Sequence, residues 1–276
     1  MTFIITFIAL IIERFFHWGH LRHWQWFGRY QYFLTTRLAN WPGFLLLIVS
    51  VLPVLMVVGI IEFAICGWLY NIPKLIFGLI ILLYCMGPNN LWVQIYSCIR
   101  ALNKEEPHVA IEQVKTVFGI TAVDQSQNFH QSFTRAIFIA ANQRIFAVIF
   151  WFAVLGPIGA ILYRVISLST NSSVSSVTQA AVYMQKVLDW IPARAITFIF
   201  ALGGHFTLVF ARWKQHVKQG IDSNDAILGE CGIAGLCVAN GDQLPEDGAA
   251  EKEALALLDR VFVMALVILA AAVFVT

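Results

Sequence analysis

Charged residues are scarce in this sequence. Only 12% of its 276 residues are Asp, Glu, Lys or Arg, against roughly 25% in an average soluble domain. Hydrophobic residues make up 59% of the chain, and the mean hydropathy is +0.74. A water-soluble particle of this size needs more polar surface than such a chain supplies. The composition therefore excludes an ordinary soluble enzyme, and it equally excludes an intrinsically disordered chain.

Several familiar chemical signatures are also absent from the sequence. No GxxxxGK[ST] phosphate loop, GxSxG nucleophile elbow or HExxH zinc motif occurs. The five cysteines include no C-x-x-C pair, which argues against a metal site or a disulfide framework. A formal net charge of +2 gives no strongly basic surface for nucleic acid. We expect no cofactor, no metal centre and no nucleic-acid partner.

Long hydrophobic runs are abundant instead. A hydrocarbon core of about 30 Å needs about 20 helical residues, and continuous rather than alternating runs favour helices over a barrel. We predict an all-α, polytopic membrane bundle that forms one domain over residues 1–276, with the lipid bilayer as its surroundings. The N-terminal run is predicted to insert only partway or to lie at the interface. About five runs are predicted to span: 44–65, 72–87, 145–165, 195–211 and 255–275.

Lys and Arg residues are concentrated before the first run and in residues 88–144 and 212–254. The positive-inside rule places such segments in the cytoplasm, so residues 88–144 and 212–254 are predicted to be cytoplasmic. Apolar residues recur at helical spacing in residues 88–144, which predicts amphipathic helices there. Residues 212–254 contain many Gly and acidic residues, which predicts a loop. If the N-terminal segment crosses the membrane together with its neighbour, every loop lies on the opposite side of the membrane.

The run 145–165 contains an interruption. Gly156 and Pro157 stand in its middle, and Tyr163 and Arg164 lie at its end. A proline in a span removes one backbone hydrogen bond and kinks the helix, while small residues allow another backbone to approach. The pattern fits a tightly packed kink, and it also fits a kink that exposes backbone polar groups to a cavity.

A second polar segment, Asp189-Trp190-Ile191-Pro192-Ala193-Arg194, precedes the fourth run. Asp189 is predicted to cap the helix that follows, with Pro192 in its first turn. Arg164 ends one span and Asp189 begins the next, so an ion pair involving these residues or Arg194 is expected. Arginine suits bidentate contacts with carboxylate or phosphate. The candidate ligand-binding residues are Tyr163, Arg164, Asp189, Trp190, Arg194, Glu13 and Arg14.

These two segments resemble those of the AmpE family, inner-membrane proteins associated with β-lactamase induction. The resemblance is carried by residues 146–152, 155–164, 189–194 and 201–206, and weaker similarity covers the whole length. It implies an accessory or signalling role in the bacterial inner membrane with no established catalysis. It further implies a cell-wall metabolite or a nucleotide as ligand, and a protein partner of the AmpD amidase type.

The cobalamin-biosynthesis membrane proteins CobD and CbiB share the Gly-Pro and Asp-Trp-x-Pro-x-Arg patterns. They imply an alternative function, that of a membrane-bound amide-forming transferase. Those relatives carry acidic residues upstream of the third span, where this chain has Ile139, Ala140 and Gln143. The difference counts against shared chemistry. A transporter of a cell-wall fragment is a third alternative and would require inverted repeats, of which the sequence gives no sign.

Overall fold

The computed structural model describes residues 2–15, 24–38, 41–65, 72–87, 91–103, 107–118, 129–172, 174–236 and 248–275. Within these ranges the chain is helical and has no strand, so the predicted all-α class is confirmed. A π-helical turn, Asn142–Phe146, and a short 3-10 turn, Ile221–Ser223, accompany the α-helices. The α-helices are α1 (Thr2–Phe15), α2 (Gln25–Arg37), α3 (Gly43–Ile65), α4 (Ile72–Cys85), α5 (Leu91–Asn103), α6 (Pro107–Phe118), α7 (Phe129–Ala141), α8 (Ala147–Leu155), α9 (Pro157–Ser169), α10 (Ser175–Gly203), α11 (Phe206–His216), α12 (Asn224–Ala234) and α13 (Ala249–Val275).

Three helical stretches are long and apolar enough to cross a membrane. Within the described residues they are Gly43–Ile65, Phe129–Leu155 and Ala249–Ala271. Phe63 in the first of them is 85% exposed, as expected for a side chain that meets lipid rather than protein. The chain therefore has the character of an integral membrane protein. The predicted runs 44–65 and 255–275 correspond to two of these stretches.

The other predicted spans differ from the structure. The run 145–165 is not one kinked helix, because a helix ends at Leu155 and a new one begins at Pro157. Gly156 has a φ of 67°, a conformation that glycine adopts without strain, and Pro157 suits the first turn of a helix because it has no N–H to satisfy. α8 and α9 pack against each other, so this segment is a tight helical hairpin.

The predicted run 195–211 is interrupted as well, because α10 ends at Gly203 and α11 begins at Phe206. The run 72–87 corresponds to α4, whose 14 residues fall short of the roughly 20 that a straight span needs. The predicted loop at 212–254 is partly helical, since α12 occupies its centre. Residues 237–247 of that loop lie outside the described residues.

The chain forms two compact units. Unit 1 contains Met1–Pro88 and Ala147–Asp189, and unit 2 contains Asn89–Phe146 and Trp190–Thr276. In unit 1, α3 and α4 both pack against α9, and α1 packs against α4. Its polar contacts include a hydrogen bond from the Gln31 amide to Ser169 Oγ at 3.1 Å. A single domain over residues 1–276 stays a prediction.

In unit 2, α7 packs against α12 and α13, and α11 packs against α12. Gly229 and Gly232 make the approach of α12 to α7 possible. A Cβ at Gly232 would overlap the ring of Phe138, and one at Gly229 would lie 2.9 Å from Cγ of Arg135. Small residues that admit a neighbouring helix in this way are typical of membrane bundles. The helices predicted within residues 88–144 are present as α5 and α6.

Candidate functional site

Tyr163 on α9 and Asp189 on α10 meet inside unit 1. The Tyr163 hydroxyl donates a hydrogen bond to Oδ1 of Asp189 at 2.7 Å. Tyr163 is fully buried and Asp189 is only 5% exposed. The Gln185 side chain, one helical turn before Asp189, lies near the same hydroxyl. A buried carboxylate needs such partners because its desolvation is otherwise unfavourable.

Arg164 belongs to the same cluster. Its side chain is buried at 6% exposure, and its charge acts on the Tyr163 hydroxyl together with that of Asp189. It also acts electrostatically on Cys85 of α4. A cation and an anion thus lie around one buried hydroxyl, which offsets part of the cost of burying each charge. We call Tyr163, Arg164, Gln185 and Asp189 the buried polar cluster.

Arg194 lies in unit 2 and is surrounded by acceptors of its own chain. All three guanidinium nitrogens donate hydrogen bonds, at distances between 2.8 and 3.4 Å. The guanidinium also lies 4.4 Å from the centre of the Trp190 ring, a cation–π contact. Arg194 therefore holds the turn between α11 and α12 in place. The acceptors are the carbonyl oxygens of Trp190, Val217, Gln219 and Gly220, Oγ of Ser223 and Oδ1 of Asn224.

The structure thus brings three of the predicted ligand-binding residues together and assigns two others to a different environment. Tyr163, Arg164 and Asp189 share the buried polar cluster of unit 1, whereas Trp190 and Arg194 contact the turn in unit 2. The side chains of Glu13 and Arg14 lie outside the described residues. Asp189 does not cap a helix start as predicted, because α10 begins at Ser175.

Two contacts of the site were missed by the sequence analysis. Gln185 precedes Asp189 by four residues and therefore lies on the same face of α10. The indole N–H of Trp151 donates a hydrogen bond to the Leu188 carbonyl at 3.1 Å, which joins α8 to α10 beside the cluster. The four-residue spacing of Gln185 and Asp189 was a usable signal, but only once the helix start is placed at Ser175.

The cluster supports hydrogen bonding and charge compensation. Among the described residues no group of three or more His, Cys, Asp or Glu side chains is placed to hold a metal ion. Glu62, an acidic residue inside α3, is paired with Lys74 at 3.4 Å. A buried hydrogen-bond network such as the buried polar cluster fixes how the helices pack, and altering one member disturbs that packing.

Comparisons with known proteins identify the family. A family model described as regulatory signalling modulator protein AmpE matches residues 1–274. The chain belongs to the AmpE family. Protein AmpE of Shigella flexneri is 23% identical to it over 232 residues, which cover 77% of this chain and 78% of that protein. No solved structure matches. The resemblance seen in the sequence is thereby confirmed for AmpE, whereas the relation to CobD and CbiB stays a prediction.

Proposed function

We propose that this AmpE-family protein modulates β-lactamase induction from the bacterial inner membrane, as a non-catalytic regulator. The observation that carries the proposal is the match of the AmpE regulatory signalling family to residues 1–274. Three helices suited to crossing a membrane support a membrane location. In this proposal residues 88–144 and 212–254 face the cytoplasm, where an amidase of the AmpD type would be the partner.

The buried polar cluster is the element through which such a regulator would respond to a cell-wall metabolite or a nucleotide. A 2.7 Å hydrogen bond between Tyr163 and Asp189 links α9 to α10. Buried charges with few alternative partners tend to have discrete arrangements rather than a continuum. A ligand that competes for Arg164 or Asp189 would therefore change how α9 and α10 pack.

Induction in living cells tests the regulatory role. The chromosomal gene is deleted in a bacterium with inducible β-lactamase, and enzyme activity is followed over a series of inducer concentrations. The deletion should shift the concentration that gives half-maximal induction, and the wild-type gene should restore it. Tyr163→Phe should fail to restore it at equal protein level, whereas Tyr183→Phe, at an exposed tyrosine of α10, should succeed. An unchanged induction curve in the deletion strain would contradict the proposal.

Ligand binding is tested separately on the purified protein. Thermal unfolding in detergent is measured with a muropeptide and with ATP, for the wild type and for Arg164→Gln. A ligand at 100 times its dissociation constant adds about 2.7 kcal/mol to the free energy of unfolding. We expect one of the two compounds to raise the unfolding temperature of the wild type and not of the variant. Equal shifts in both proteins would remove Arg164 from the ligand site.

A further inference from the structure

A cavity in unit 2 lies apart from every residue discussed as a candidate site. It is formed between α7, α11 and α12 and has a volume of about 360 Å³. This volume lies within the range of roughly 300–1,000 Å³ that is typical of small-ligand pockets. One part of its wall is apolar and includes Leu208 and Ile233, while the rest is polar. The cavity therefore suits a ligand with a polar group and an attached apolar part.

Two arginines from different helices line this cavity. Arg135 comes from α7 and Arg212 from α11, and Gln131 and Gln215 also line the cavity. Glu230 is the one carboxylate in the lining, and its Oε2 is hydrogen-bonded to Nε2 of His216 at 2.8 Å. The lining thus carries two guanidinium charges against one carboxylate, which favours an anion.

One guanidinium nitrogen of Arg135 is buried. This nitrogen, Nε, has no hydrogen-bond partner among the described residues. A buried donor left unsatisfied is unfavourable, the more so when it is charged. Gly229 allows this placement, because a Cβ there would lie 2.9 Å from Cγ of Arg135. The side chain is therefore held against α12 beside the cavity.

We infer that this cavity binds the phosphate group of an anionic ligand, with Arg135 and Arg212 as its principal contacts. A phosphate monoester carries close to two negative charges at neutral pH and three acceptor oxygens. It can therefore accept hydrogen bonds from two guanidinium groups at once. A single carboxylate offers only two oxygens and one charge. The glutamine amides supply further neutral donors, and the apolar wall contacts the group attached to the phosphate.

The phosphate can belong to a lipid headgroup or to a soluble metabolite. The candidate span Phe129–Leu155 is longer than the roughly 20 residues that cross the hydrocarbon core. If the core ends at Leu155, it begins close to Arg135. The guanidinium of Arg135 then lies near the level of the lipid phosphates. The open side of the cavity is equally compatible with a soluble organic phosphate. Neither source depends on the proposed role in induction, so the site and that role can fail independently.

The test uses the full chain, purified in an uncharged detergent or placed in lipid nanodiscs. Unfolding temperature is compared in inorganic phosphate and in chloride at equal pH and ionic strength. Retention of phosphatidylglycerol is measured by native mass spectrometry from nanodiscs of phosphatidylcholine with and without phosphatidylglycerol. Arg135→Gln and Arg212→Gln should weaken binding by roughly tenfold or more, the effect of losing one charge-assisted hydrogen bond. Arg100→Gln, at an exposed position of α5, should bind as the wild type does.

Each outcome decides the inference. A phosphate-induced shift that both cavity variants lose supports a soluble phosphate ligand. Retention of phosphatidylglycerol by the wild type and not by the variants supports a lipid headgroup. A wild type that responds to neither probe overturns the site, as does binding that persists in Arg135→Gln. Should that variant fail to fold, Arg135→Lys retains the charge but removes the planar guanidinium, and binding at full strength in Arg135→Lys overturns the guanidinium contact.

Discussion

The hydroxyl of Tyr163 donates a 2.7 Å hydrogen bond to Oδ1 of Asp189 in the buried interior of unit 1. The contact joins a residue of the helical hairpin to the middle of α10, the longest helix among the described residues. Since both side chains are buried, water cannot replace either partner when the other is removed. Substitution of either residue should therefore affect both the stability of unit 1 and the proposed response of the buried polar cluster to a ligand.

Removing the hydroxyl should destabilise the protein. Tyr163→Phe removes a buried donor from the Asp189 carboxylate, and the loss of a buried hydrogen-bond partner costs about 1–3 kcal/mol. We expect a lower unfolding temperature in detergent, measured by tryptophan fluorescence. Tyr183→Phe is the matched control because its ring is 58% exposed, and it should unfold as the wild type does. Equal losses in the two variants would contradict a specific role for the Tyr163 hydroxyl.

Replacing Arg194 by lysine should loosen the turn between α11 and α12. Lysine retains the charge, but its single ammonium group cannot reach six acceptors spread around a guanidinium. We expect a loss of about 1.5–3 kcal/mol, the value of a hydrogen bond to a charged group. Faster tryptic cleavage after Lys218, which lies in this turn, provides the measurement.

Arg100→Lys serves as the control for that experiment, since Arg100 is exposed on α5. Its cleavage after Lys218 should match that of the wild type. A cleavage rate that stays unchanged in Arg194→Lys would show that the hydrogen bonds of Arg194 are not what holds the turn.

Two glycine substitutions should change the stability of the protein in opposite directions. Gly156→Ala places a Cβ at a φ of 67°, which strains any residue other than glycine and should cost about 1 kcal/mol or more. Space is not the limitation, because the nearest atom, Oε1 of Glu62, would lie 3.9 Å away. Gly28→Ala lies inside α2 with no atom within 4 Å of the new Cβ, so it should stabilise by about 0.5–1 kcal/mol. A Gly156→Ala variant that unfolds at or above the wild-type temperature would refute the assigned turn at Gly156.

The hairpin at Gly156 shows where the sequence was ambiguous. A Gly-Pro pair in a hydrophobic run fits a kinked helix, because proline inside a helix removes one hydrogen bond. It also fits a helix end followed by a helix start, because glycine accepts a positive φ and proline suits the first turn. Local pattern does not separate the two, and the packing of α8 against α9 decides between them.

Asp189 shows a second limit. An aspartate two residues before Ile191-Pro192 has the local appearance of a helix cap, yet α10 begins fourteen residues earlier at Ser175. The Asp189 side chain is instead engaged by Tyr163, a residue of another helix. The motifs did identify Tyr163, Arg164 and Asp189 as a related set. The cavity beside Arg135 could not have been predicted in this way, since it exists only where α7, α11 and α12 pack together.

Cys231 on α12 should be nearly inert towards alkylating reagents. Burial, reinforced by the nearby charge of Glu230, raises the pKa of its thiol to about 12. The reactive species is the thiolate, so almost none is present at pH 8 in the folded protein. Between about pH 9 and 12 the unfolded chain releases this proton while the folded chain retains it, so the contribution of Cys231 lowers stability as the pH rises.

Alkylation with iodoacetamide followed by peptide mass spectrometry checks the reactivity of Cys231, and unfolding temperatures at pH 8 and pH 10 compared with those of Cys231→Ala check the pH dependence. In the folded protein at pH 8 the Cys231 peptide should remain unmodified, and it should react fully after denaturation. Lys218→Cys, which introduces a thiol at an exposed position, reports that the reagent is active under the same conditions. Cys231 directly follows Glu230, which lines the cavity of unit 2. If Cys231 were labelled as fast as the introduced cysteine, α12 would have to open readily. The packing of α12 against α7 and α11 would then not persist in solution.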